Sequence, residues 1–122
     1  RAMRLWGIDD SREYYRRADV WPLNPQGELF AVAMVESQRG VENIEEILQA
    51  PVSAVFIVPG DLAIDLGLGP NPPEGYHPEV LEAYSTIIEA CSQQERVICG
   101  LGDSRSRLQQ RLEEGWRFID AL

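Results

Sequence analysis

Between Leu29 and Asp61 the chain reads apolar strand, helix, apolar strand, and both strand patterns end at a carboxylate. The first run, Leu29 to Val35 (LFAVAMV), leads into Glu36. The second, Val52 to Val58 (VSAVFIV), leads through Pro59-Gly60 into Asp61. Apolar runs without polar alternation are the pattern of parallel strands covered on both faces. Between them Ser37 to Gly40 reads as a loop. Val41, Ile44, Ile47 and Leu48 then recur at helical spacing, with Glu42, Glu45, Glu46 and Gln49 opposite, until Pro51 stops the helix. A strand–helix–strand unit of this kind implies parallel pairing through a right-handed crossover.

The same alternation continues on both sides. Asp9 to Ala18 reads as a short helix capped by Asp10 or Ser11. Val20 to Glu28 is an irregular connector, since Pro22, Pro25 and Gly27 block helix and strand alike. After the second strand comes a long Gly- and Pro-rich loop, Gly60 to His77, of the kind α/β folds use as a lid. Pro78 opens a helix whose buried stripe is Val80, Leu81, Tyr84, Ile87, Ile88 and Cys91. A third strand is expected at Arg96 to Gly100. A helix starts at Asp103-Ser104 with Leu108 and Leu112 inward, and a fourth strand spans Trp116 to Leu122.

The order α, β, α, β, α, β, α, β is that of a parallel α/β protein. Four such units make half of an eight-fold barrel, whose usual length is about 250 residues. The chain starts at Arg rather than Met and stops on a strand. We therefore expect residues 1–122 to be the C-terminal half of a single (β/α)8 barrel domain. The alternative is a self-contained four-stranded parallel α/β domain.

Charge and residue usage remove several function classes. A net charge of −9 argues against nucleic-acid binding through phosphates. No apolar run approaches the ~20 residues of a membrane span, and the polar, Arg-containing start is no signal peptide. All eleven basic residues are Arg, so this segment offers no Schiff-base or phosphate-loop lysine. With a single His, His77, it offers no multi-histidine zinc site. Cys91 and Cys99 lack metal-ligand spacing and read as buried reduced thiols of a cytoplasmic protein, with a disulfide between them as the alternative.

In a parallel barrel the carboxyl ends of the strands form the active-site face. Glu36 and Asp61 stand at corresponding ends of consecutive strands, which suggests hard-cation ligation; the bland alternative on spacing alone is that Glu36 caps a loop and Asp61 begins a turn.

The segment MVESQRGVENIEEILQAPVSAVFIVPGDLAIDLG resembles the HpcH/HpaI aldolase and citrate lyase family. Members read like M-I-E-T-x-x-G-V-x-N-I-D-E-I, followed by a strand and G-P-x-D-L-S. Downstream, HPEVLEAYSTIIEACSQQERVICG and GWRFIDAL look like the family's next helix and later strands; RAMRLWG and YYRRAD fit more loosely.

This resemblance implies a (β/α)8 barrel and a class II, metal-dependent aldolase acting on 2-oxo acids. Its divalent ion (Mg2+, Mn2+ or Co2+) would be held by Glu36 and Asp61, and the backbone N–H groups of Gly60 and Asp61 would receive the pyruvate carboxylate. The family's catalytic His and substrate-binding Arg belong to the first half of the barrel, and no residue here matches them. The implied reaction cleaves a 4-hydroxy-2-oxo acid to pyruvate and an aldehyde. The other readings are a citryl- or malyl-coenzyme A lyase, and a barrel that binds metal without turnover.

Three positions depart from the family pattern: Val58 where Gly usually precedes the Pro, Ala63-Ile64 where a small polar residue is usual, and Met34 where some members have Gln. All three are expected to bear on the substrate pocket. Elsewhere, His77 reads as a surface residue leading into a helix rather than a catalytic one, Asp65 as solvated or else reaching the mouth of the site, Asp103 as an N-cap, and Arg39 as a surface partner of Glu42. The connector around Trp21 lies at the opposite end of the strands, where exposed Trp, Pro and Leu would suit a homo-oligomer contact.

Overall fold

In the computed structural model, which describes residues 2–121, four strands pair side by side in chain order and all in parallel. They are β1 (Val32–Val35), β2 (Ala54–Ile57), β3 (Ile98–Asp103) and β4 (Phe118–Ala121). Arg1 and Leu122, the first residue of the loose upstream match and the last of the expected fourth strand, lie outside the described residues.

Two short helices, α1 (Ala2–Leu5) and α2 (Ser11–Arg17), precede the sheet. Asp10 caps α2 as expected, its carboxylate accepting from the Arg12 N–H at 3.0 Å. The expected single helix after β1 is two, α3 (Gln38–Glu42) and α4 (Ile44–Gln49), divided at Asn43. Its apolar face survives the break, since Ile44 and Leu48 are both buried.

The loop expected from Gly60 to His77 instead begins with a helix, α5 (Pro59–Asp65). Proline at its first position is already set for a helical φ, and burial of Leu62 and Ala63 holds the turn to the core. Helix α6 (Pro78–Ser92) buries Val80, Ala83, Tyr84, Ile87 and Cys91, whereas Leu81 is exposed. A 3₁₀ turn (Arg105–Arg107) leads into α7 (Leu108–Glu114). There the inward residue is Arg111, and Leu112 faces out.

The strands are shorter at their starts than the apolar runs. Ser53, fully buried, explains the late start of β1 and β2. Its hydroxyl accepts from the Ala31 N–H at 2.9 Å and donates to the Trp21 carbonyl, so a side chain takes up bonds the ladder would have made. The same contact ties the Trp21 connector to the amino ends of the strands.

Alternate residues of each strand face opposite sides. Val35, Val55, Ile57 and Leu101 pack beneath the helices with Trp116, all essentially without exposure. Full burial of such a side chain contributes roughly 1.5–3 kcal/mol. The opposite face is open, with Val32 41% and Met34 61% exposed, so β1 is covered on one side only. Across that face Met34, Phe56, Gly100 and Phe118 lie in register. A Cβ on Gly100 would come within 2.9 Å of both the Phe56 ring and the Phe118 Cβ. Glycine there lets the two rings meet edge to face, 5.3 Å between centroids.

Cys91 on α6 and Cys99 on β3 are joined as a disulfide, not left as the thiols expected from their pattern. The buried stripe of α6 lies against β3 and brings their Cα atoms to 6.4 Å.

Candidate active site

Glu36 follows the last residue of β1, in the alternation that puts Val32 and Met34 on the open face. The chain then turns through Ser37, whose hydroxyl accepts from the Gly40 N–H at 3.1 Å and caps α3. A Cβ at Gly40 would stand 3.2 Å from the Val35 side chain, so this turn folds tightly back on its strand.

Asp61 lies in the first turn of α5, directly beyond β2. The Leu62 N–H bonds the Val58 carbonyl at 3.0 Å, so the N–H groups of Gly60 and Asp61 stand ahead of the helical ladder. Gly60 is exposed, and a Cβ there would meet nothing within 4 Å.

Two hydrogen bonds bring the carboxylate-bearing segments together. The Val58 N–H donates to the Val35 carbonyl at 3.1 Å, and the Gln38 N–H donates to Asp65 Oδ2 at 2.7 Å. Glu36 falls between Val35 and Gln38, and Asp61 between Val58 and Asp65. Asp61 and Asp65 are four apart on one helix, hence on one face. Asp65 is exposed, but its carboxylate is engaged by the Gln38 N–H.

Glu36 and Asp61 are both exposed, and neither accepts a hydrogen bond or ion pair from another described residue. Two unengaged carboxylates on neighbouring turns could serve as oxygen ligands for a hard divalent cation. Among the described residues no group of three or more His, Cys, Asp or Glu is arranged to hold a metal ion, so the candidate ligands are this pair alone.

Val58, half-buried, helps line a cavity of about 430 Å³ at the carboxyl ends of β2–β4, along with Phe56, Pro59, Tyr76, Arg107 and Asp120. Of the other departures, Met34 lies on the open face. Ala63 is buried in the core and Ile64 points outward, so Ala63 does not shape the pocket.

Asp103 is not a helix N-cap. Pairing with β4 carries β3 on to Asp103, whose side chain is fully buried. Its Oδ1 accepts from Arg107 Nε at 2.7 Å and Tyr76 Oη at 2.9 Å, and its Oδ2 from Arg111 Nε at 2.7 Å. Burial alone would raise this carboxyl's pKa, but hydrogen bonds from Arg107, Arg111, the Ser104 N–H and Tyr76 outweigh it and hold it at about 2. Asp103, Arg107 and Arg111 recur every four residues, a spacing the sequence itself displays.

Tyr76 belongs to the expected lid. That loop is pinned further by Asn71, which donates to the Pro59 carbonyl at 2.9 Å and accepts from the His77 N–H at 3.2 Å. The His77 ring lies 3.0 Å from the Pro70 carbonyl, within the loop. Arg39 does not pair with Glu42, whose carboxylate is taken by the Gln38 side chain at 2.8 Å.

Comparison with known proteins follows the same geometry. The model of the HpcH/HpaI aldolase/citrate lyase family matches residues 9–121. A hydroxypyruvate/pyruvate aldolase of Rhizorhabdus wittichii is 34% identical over 94 residues, 74% of this chain and 36% of that protein. Another, of Paraburkholderia phytofirmans, is 28% identical over 97% of this chain and 42% of its own length. The crystal structure of an HpcH/HpaI aldolase/citrate lyase family protein from Burkholderia cenocepacia superposes with a TM-score of 0.67 at 30% identity, covering 87% of this chain and 40% of that one. The chain thus spans less than half the length of these proteins, and its four parallel βα units have the fold of half a (β/α)8 barrel.

Proposed function

The chain belongs to the HpcH/HpaI aldolase/citrate lyase family, and on that premise we propose that it carries the metal-binding half of a class II aldolase. The full protein cleaves a 4-hydroxy-2-oxo acid to pyruvate and an aldehyde. The supporting observation is the pair of hydrogen bonds, Val35–Val58 and Gln38–Asp65, that sets Glu36 and Asp61 on facing turns. Relatives that are hydroxypyruvate/pyruvate aldolases favour 2-oxo acid substrates.

Glu36 and Asp61 would hold the divalent ion, Mg2+, Mn2+ or Co2+. When bound, that ion supplies positive charge for the enolate oxygen that develops as the carbon–carbon bond breaks. The N–H groups of Gly60 and Asp61, free of the helical ladder, bind and orient the substrate carboxylate. Val58 and Phe56 line the cavity at the strand ends, which adjoins this turn through Pro59. The general base and a substrate-binding Arg come from outside these residues.

In this reading residues 1–122 are the C-terminal half of one barrel domain, whose remaining strands cover the open face of the sheet. The exposed Trp21 and Leu23 at the amino ends of the strands serve a contact between identical subunits. No helix of the described residues is long and apolar enough to cross a membrane.

The test is exchange of the pyruvate methyl protons with deuterium by the full-length protein, followed by NMR. Exchange should require added Mg2+, Mn2+ or Co2+ and vanish in Glu36→Gln. Metal-independent exchange, or none with any of these ions, overturns the proposal.

A further inference from the structure

Helix α3 has first-turn backbone donors that its own cap does not satisfy, the N–H groups of Gln38 and Arg39. Ser37 Oγ takes the Gly40 N–H, and the Gln38 N–H, first of the helix, is met from 27 residues away by Asp65 Oδ2 at 2.7 Å. Asp65 is the last residue of α5 and accepts from no other described group. With the Val35–Val58 bond it closes a ring of backbone around Glu36 and Asp61. One side of the ring is four residues long, from Val35 to Gln38. The other runs through the N-terminal turn and body of α5.

We propose that Asp65 is a positioning residue that sets the separation of the Glu36 and Asp61 carboxylates, acting as a hydrogen-bond acceptor and not through its charge. This rests on the metal site described above. Without the Gln38 bond, the turn bearing Glu36 is held to α5 only by the end of the strand ladder. Glu36 then swings relative to Asp61, and the metal loses a correctly placed ligand. Groups that orient ligands without touching the ion typically matter 10–100-fold for metal affinity. Asparagine offers a carbonyl oxygen of the same reach, so it keeps the bond and gives up only the charge.

The experiment is calorimetric Mn2+ binding to the full-length protein and to Asp65→Ala, Asp65→Asn, Glu36→Gln and Asp61→Asn, with folding of each checked by circular dichroism. Asp65→Ala should weaken Mn2+ binding by roughly tenfold or more. Asp65→Asn should stay within about threefold of the parent, because the neutral acceptor keeps the bond in place at roughly half its strength. Hydrogen exchange at the Gln38 amide should quicken in Asp65→Ala and not in Asp65→Asn.

If Asp65→Asn loses affinity as fully as Asp65→Ala, the charge matters and the positioning role fails. It fails too if Asp65→Ala is less stable yet binds Mn2+ as before, or if the Gln38 amide is indifferent to both changes. In those cases Glu36→Gln and Asp61→Asn still abolish binding and the metal site stands. Unchanged binding in Glu36→Gln and Asp61→Asn, or no binding by the parent, instead sinks the metal site and the positioning role together.

Discussion

Asp103 Oδ2 accepts from Arg111 Nε at 2.7 Å, with the Asp103 side chain fully buried and that of Arg111 only 4% exposed. Arg111 also reaches Glu114 at 2.8 Å and lies over the Tyr84 ring, 5.0 Å from its centroid. The pair locks the end of β3 to α7, and Tyr76 brings the loop that follows α5 into the same knot.

Removing one partner leaves a buried charge uncompensated. Arg111→Ala should destabilise the full-length protein by roughly 3 kcal/mol, the lower end for a broken buried pair, because Arg107 still holds Oδ1. Arg111→Met combined with Asp103→Leu should cost less than the single change. Urea denaturation measures both, and a loss below about 1 kcal/mol for Arg111→Ala would show the pair to be unimportant.

The same carboxylate sets an acid limit. Its folded-state pKa of about 2 lies below its ordinary 3.8, so protonation favours the unfolded chain. The contribution is complete above about pH 4 and is lost as the pH falls toward 2. It amounts to roughly 2 kcal/mol, because each tenfold difference in proton affinity between the folded and unfolded chain is worth about 1.36 kcal/mol. In Asp103→Asn that portion of the acid dependence should be missing from stability measured between pH 5 and 2.

Single Glu36→Gln and Asp61→Asn variants should fold normally, since both side chains are exposed and unpaired among the described residues. Each should lose at least tenfold in Mg2+ or Mn2+ affinity, the scale associated with disturbing even indirect support of a metal. Unchanged calorimetric titrations in both would remove them as ligands.

Val58 places three side-chain carbons in the wall of the cavity at the strand ends. Its φ of −107° suits any residue, so glycine is not demanded by the backbone here. If the valine overpacks the pocket by the usual 1–3 kcal/mol, Val58→Gly should raise kcat/KM for pyruvate-yielding cleavage several-fold to a hundredfold. Metal affinity should hardly change. An equal or lower kcat/KM would assign Val58 to a pocket shaped for a different substrate.

The isolated 122-residue segment should not show a cooperative, monomeric unfolding transition. Its sheet leaves Val32, Met34 and Phe118 substantially exposed, and its edge strands β1 and β4 are each paired on one side only. A sharp two-state melt at micromolar concentration would favour the self-contained domain.

Periodicity sufficed for much of this protein. Runs such as LFAVAMV and VSAVFIV, separated by a helical stripe, determined parallel strands in chain order. Glu36 and Asp61 emerged because a strand end is visible wherever an apolar run meets a carboxylate. Local patterns could not decide contacts between segments remote in the chain. Asp103 looked like a cap because it precedes a helix, yet ladder pairing with β4 draws it into the core, where burial obliges it to find Arg107 and Arg111. Asp65 looked solvated because its partner is a backbone N–H on a different turn, and a backbone donor leaves no mark in composition. Cys91 and Cys99 lie eight apart, and only the packing of α6 on β3 brings them together. Hydrophobic spacing selects elements through local geometry, whereas buried polar groups are satisfied by whatever the assembled fold brings within hydrogen-bonding distance.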